Sequence, residues 1–108
     1  MAVSEKPWGP ITAADYPDAG AYCDACLINE NTGPREQWTK GACHLPVREP
    51  GGALNRAGCH GDAAVLAGAR GGVDVPAAAK RSAARKLLAI YRNDLKETPP
   101  PSLMHMAM

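Results

Sequence analysis

The chain contains no phenylalanine, and aromatic residues make up only 5% of its 108 positions. Much of its 45% hydrophobic content is alanine. An alanine side chain removes little area from water, at roughly 25 cal/mol per Å² of apolar surface. A thin core is therefore expected, one that a metal, a partner or self-association would help. Long apolar runs are also missing, and no stretch approaches the roughly 20 residues of a membrane span, so no membrane is expected among the partners. The opening Met-Ala-Val-Ser-Glu-Lys-Pro has no apolar run, so no signal peptide is expected. From this follow an intracellular location and reduced thiols.

Catalytic signatures are absent as well. There is no His-Glu-x-x-His, and Gly68 to Val73 lacks the Lys-Ser/Thr ending of a phosphate loop. Cys26 is followed by Leu27, which excludes c-type haem attachment. The steps Cys43-His44 and Cys59-His60 are not nucleophile–base dyads, because adjacent side chains in a strand or helix point apart. The expectation is that the chain is not an enzyme.

What is present is unevenly distributed. Net charge is +1, but residues 1–50 carry four Lys/Arg and seven Asp/Glu, and residues 51–108 carry eight and four. The halves could attract one another, or the second could face an acidic partner. Residues 1–20, with Trp8-Gly-Pro and Tyr16-Pro, read as an irregular arm in which at least one aromatic packs on the body. Residues 21–98 read as a single small globular domain, and residues 99–108 as a flexible tail unless its methionines dock. Tyr22 to Ile28 suits a short helix or strand, Asn29 to Pro34 a turn, and Gln37 to Leu45 a returning strand.

A helix is expected between Leu54 and Ala69, with Asn55 as N-cap and Asp62 as a later candidate. Cys59, Ala63, Leu66, Ala67 and Arg70 form its stripe, and Gly71-Gly72 is its stop. Pro76 opens a second helix reaching about Lys96, with Ala84, Leu87, Leu88, Tyr91 and Leu95 buried. The fold class expected is mainly α, with a small β-hairpin or zinc-knuckle-like N-terminal part and two C-terminal helices packed on it.

The sharpest chemical expectation is structural zinc. Cys23-Asp-Ala-Cys26 has the spacing that presents two thiolates to one tetrahedral ion, and Cys43 follows after 16 intervening residues. The fourth ligand is open among Cys59, His60 and His44. The alternatives are cysteines buried as small hydrophobes and a disulfide or redox role. A second feature is basic: Arg81, Arg85, Arg92 and Lys96 fall within about 60° on the second helix, a ridge roughly 22 Å long. Such a ridge could follow nucleic-acid phosphates, but a solvated or partner-binding face is the plainer reading, since the pI of 7.7 is far from that of a dedicated binder.

Several segments together resemble small domains encoded by tailed phages and prophages, of the kind accompanying prohead-protease and head-morphogenesis proteins. They are Cys43-His-Leu-Pro-Val-Arg-Glu-Pro-Gly-Gly-Ala-Leu-Asn55, Leu66-Ala-Gly-Ala-Arg-Gly-Gly-Val73, Val75-Pro76, Lys80-Arg-x-Ala-Ala-Arg-Lys-Leu-Leu88 and Tyr91-Arg92. Tyr22-Cys-x-x-Cys-Leu-Ile28 resembles the upstream segment of some members. The likeness covers about residues 16–103. It implies a structural or accessory module in a host cytoplasm or a virion. A protein partner such as a head-assembly component is expected, nucleic acid is the alternative partner, and homo-oligomers are an option. Members carry an aliphatic residue where Cys59 stands, which moves the fourth-ligand expectation to His60. The expected metal set is then Cys23, Cys26, Cys43 and His60 (or Cys59), and the expected partner or nucleic-acid surface is Arg81, Arg85, Arg92 and Lys96.

Overall fold

The N-terminal arm is irregular, as its prolines and glycines require, but it is stitched down. A computed structural model describes residues 3–108, except for the side chain of Arg70. The Ser4 amide donates to the Leu54 carbonyl at 2.7 Å, and the Arg56 amide donates back to the Ser4 carbonyl at 3.0 Å. The Trp8 indole lies over Gly58, where an added Cβ would sit 2.9 Å from the ring. Glycine is therefore required there by close approach. Tyr16 is only 3% exposed; its hydroxyl donates to the Arg48 carbonyl, and its ring meets Tyr22 edge-on at 5.1 Å. Both aromatics of the arm thus pack on the body.

Helix α1 spans Ala19–Ala25, and its first turn is capped by Asp18, whose carboxylate accepts from the Ala21 amide at 2.8 Å. Strand β1, Cys26–Asn29, follows without a loop and pairs antiparallel with β2, Cys43–Pro46. Ile28 faces His44 and Asn29 faces Cys43. Single turns at Arg35–Gln37 and Lys40–Ala42 shape the long connection.

Helix α2 runs Arg56–Leu66, with the expected cap: the Asn55 side chain accepts from the Gly58 amide at 2.8 Å. Cys59, Ala63 and Leu66 are buried as the stripe predicts, while Ala67 is exposed and Arg70 lies outside the described side chains. The helix stops at Gly68 (φ 110°), ahead of the expected Gly71-Gly72. Gly68, the first glycine beyond the stripe's last buried residue, Leu66, takes the positive φ that ends it. Helix α3, Ala77–Ile90, begins after Pro76 and continues as a π-helical turn, Tyr91–Leu95, closed by Lys96 in the left-handed region.

Residues 99–108 depart from the flexible tail expected. Pro101–Met106 form helix α4, with Pro101 preorganising the first turn and Leu103 driven to 2% exposure against α3. One apolar cluster runs from Leu27 and Ile28 through Leu45, Val47, Leu54, Cys59, Leu66, Leu87 and Tyr91 to Leu103 and Ala107. The fold is mainly helical with a small hairpin, and the C-terminal helices are packed on it.

Candidate functional site

The hairpin fixes where the cysteines go. Cys23 is in the last turn of α1, and the chain becomes extended at Cys26 (φ −95°, ψ 152°), so the two residues of the Cys-x-x-Cys step occupy different elements. Cys43, at the start of β2, meets Cys23 instead. The two are joined by a disulfide, with Cα atoms 5.4 Å apart. The Asn31 side-chain nitrogen, Nδ2, lies 3.4 Å from each sulfur and donates to the Thr39 carbonyl at 3.1 Å, closing the polar side of the bridge.

The expected metal set, Cys23, Cys26, Cys43 and His60 (or Cys59), is not brought together as one group. Cys26 shares a hydrogen bond with Tyr22, and burial pushes its thiol up to about 12 despite that bond. Cys59 is wholly buried in the α2 stripe and is likewise pushed up to about 12, burial being the main cause. His60 is on the exposed side of α2, its Nε2 2.9 Å from Glu97. His44 pairs at 2.9 Å with Glu30. Among the described residues, no three or more His, Cys, Asp or Glu side chains form a group able to hold a metal ion. The reason is topological: a helix-to-strand break between Cys23 and Cys26 replaces the tight turn that zinc needs.

The basic ridge is only partly a free face. Arg81, Arg85, Arg92 and Lys96 are all exposed. However, α4 lies alongside, and Arg85 Nε donates to the Ala107 carbonyl at 2.9 Å, satisfying the end of that helix. The π-helical turn also adds an extra residue to the register, so Lys96 does not follow the α-helical wheel.

Two hollows flank α2. The larger, about 660 Å³, has Ala63, Ala64 and Ala67 as its floor, Tyr91 as a wall, and Pro99, Pro100 and Pro101 as its rim. His60 and Glu97 stand at its polar end. Glu97 also accepts from Arg56, and although burial acts to raise its carboxyl, the bonds from Arg56 and His60 win and lower it. The smaller hollow, about 360 Å³, lies between the arm and α2 and is lined by Trp8, Gly9, Ala57, Gly61, Asp62, Ala64 and Ala69. Asp62 is 6% exposed, and its Oδ2 is buried with no hydrogen-bond partner among the described residues. Burial raises its carboxyl to about 8. Sequence reading treats Asp62 only as a spare cap. The signal that locates it is its place three residues after Cys59 and four before Leu66, inside the apolar stripe. No family model matches this chain, and no match is found among curated proteins or among solved structures.

Proposed function

We propose that this chain is a non-enzymatic accessory module that binds a short apolar segment of a protein partner in the groove between α2 and the Pro99–Pro101 rim. The groove carries the reading. Its floor is three alanine methyls, so a partner side chain can approach the helix backbone closely, and Tyr91 and the prolines offer rigid apolar walls. Rigid walls lose little entropy when a partner docks. The resemblance to phage head-morphogenesis modules supports the same reading. Of the two locations that resemblance implies, a virion suits the Cys23–Cys43 disulfide better than a reducing cytoplasm does.

Panning a random-peptide display library on the purified chain tests this directly. Peptides of one consensus should be enriched and should bind the wild-type chain but not Ala64→Glu. Ala64 is exposed on the groove floor, so the change should leave stability within about 0.5 kcal/mol. Absence of a consensus, or equal binding to both proteins, would contradict the proposal. A nucleic-acid-binding module is the second reading, favoured by the exposure of Arg81, Arg92 and Lys96. It requires DNA affinity that falls steeply with salt and is lost on reversing Arg81 and Arg92.

A further inference from the structure

The smaller hollow shares Ala64 with that groove but has chemistry of its own. Its wall is the Trp8 indole, held in place by stacking on Gly58, and its remaining lining is small: Gly9, Ala57, Gly61, Ala64 and Ala69. Into this setting α2 places one carboxyl group, Asp62, whose Oδ2 has no hydrogen-bond partner among the described residues. A buried polar group without a partner costs free energy, and a carboxylate costs more than a neutral group. Helix α2 nevertheless spends a position of its apolar stripe on it. At about 360 Å³ the cavity has the size of a small-ligand site.

We propose that the cavity between the N-terminal arm and α2 binds a primary ammonium group, with Asp62 as its counter-ion and the Trp8 indole as one wall. An ammonium supplies the donors that Asp62 lacks, and an aromatic wall attracts a cation through its quadrupole. A divalent metal does not fit, because calcium or magnesium needs about six or more oxygen ligands and the lining offers a single carboxylate. The ammonium can belong to a free alkylamine or to a lysine side chain of a partner. Either fits the same lining.

Binding is coupled to a proton in a defined direction. The titratable groups that couple to Asp62 are Tyr16 from the arm, Tyr22 from α1, Cys26 from β1, Cys59 from α2 and Tyr91 after α3. All of them are raised to about 12 or beyond, so they stay neutral near pH 7 and Asp62 is the one member of this set that titrates. Below about 8 the ammonium must displace a proton from the carboxyl; above it, the carboxylate is already formed.

The experiment is a titration of the full chain with n-butylammonium, followed by the Trp8 indole and Gly61 amide NMR signals at pH 7 and pH 9. The expected result is saturable binding, about tenfold tighter at pH 9, where the amine remains charged. The neutral 1-butanol should not bind, and Asp62→Asn should abolish binding. Gly61→Leu is a second variant that leaves Asp62 in place: Gly61 has open space around its Cβ position, so the side chain extends into the cavity and should block it without unfolding α2. Comparing butylammonium with an N-acetyl-lysine-amide peptide distinguishes the sources: a tighter peptide assigns the site to a lysine side chain, a tighter amine to a free ligand. Butanol binding as well as the amine, binding unchanged in Asp62→Asn, or no saturable shift at either pH would overturn the proposal.

Discussion

The two halves of the molecule hold their shape by different means. Before Pro50 the chain has one short helix, two four-residue strands and several single turns, held by individual ties. The Cys23–Cys43 disulfide is one of them. Others are Lys40, which donates to the Ala13 and Tyr16 carbonyls at 2.9 and 2.8 Å, and Arg35, which grips Asp24 with two bonds and lies 5.3 Å from the Trp38 ring. After Leu54 the chain is helical, and it is held by the cluster around Leu87, Tyr91 and Leu103. A sequence without phenylalanine can fill one helical core with leucine and alanine. It has little apolar material left for a second, so the N-terminal half adds covalent and polar ties to what Leu27, Ile28, Leu45 and Val47 bury in the shared core.

The largest expected effect breaks the helical side. Leu87 is fully buried where α3 meets the hairpin and α4, so Leu87→Ala should cost about 2–5 kcal/mol, measured by urea unfolding. Next is Cys43→Ser, which opens a loop of sequence separation 20 and should cost about 3 kcal/mol on the loop-entropy account. Hydrogen exchange should place that loss in α1 and residues 30–42, with the Leu87 amide still protected. Equal loss of protection in α3 would merge the two halves into one cooperative unit.

Asp62 lies at the seam between them, and its effect depends on pH. Its folded pKa of about 8 is above the ordinary 3.8, so its contribution is fully present below about pH 4 and is lost as pH rises towards 8. Stability should fall by about 1.4 kcal/mol per pH unit across that window, and Asp62→Asn should remove the slope. Asn55→Ala deletes a cap that also ties the Lys6 carbonyl and Glu49 to α2, and should cost about 1–2 kcal/mol. The smallest change, Arg85→Ala, removes the side chain at the end of α4 and should cost about 0.3–1 kcal/mol, with fraying confined to residues 101–107. Losses larger than that would mean that α4 carries more of the core than Leu103 and Ala107 account for.

What was legible in the sequence follows the range of the forces involved. Asn55 as a cap, Pro76 as a helix start and the Leu87–Tyr91–Leu95 stripe depend on residues within a turn or two, and each stands where local pattern places it. Leu88 is only half-buried, because the face beside Leu87 is completed by Ala83 and Ala84. The π-helical turn at Tyr91–Leu95 was not legible, since nothing in a helical wheel marks the extra residue that displaces Lys96. The cysteine pairing was hidden for another reason. Spacing alone favours Cys23 with Cys26, whereas the pairing of Cys23 with Cys43 depends on strand register set by Leu27, Ile28 and Leu45 facing the core. Docking of the tail rests on Leu103 and Ala107, too little apolar pattern to stand out among methionines.

The state of the four cysteines tests the central claim most directly. The protein should be alkylated under denaturing, non-reducing conditions, digested and mapped by mass spectrometry, with its zinc content measured on the same preparation. The structure predicts two alkylated thiols, Cys26 and Cys59, and a disulfide-linked peptide joining Cys23 to Cys43. Four alkylated thiols with one zinc per chain would contradict it and return Cys23, Cys26 and Cys43 to a metal.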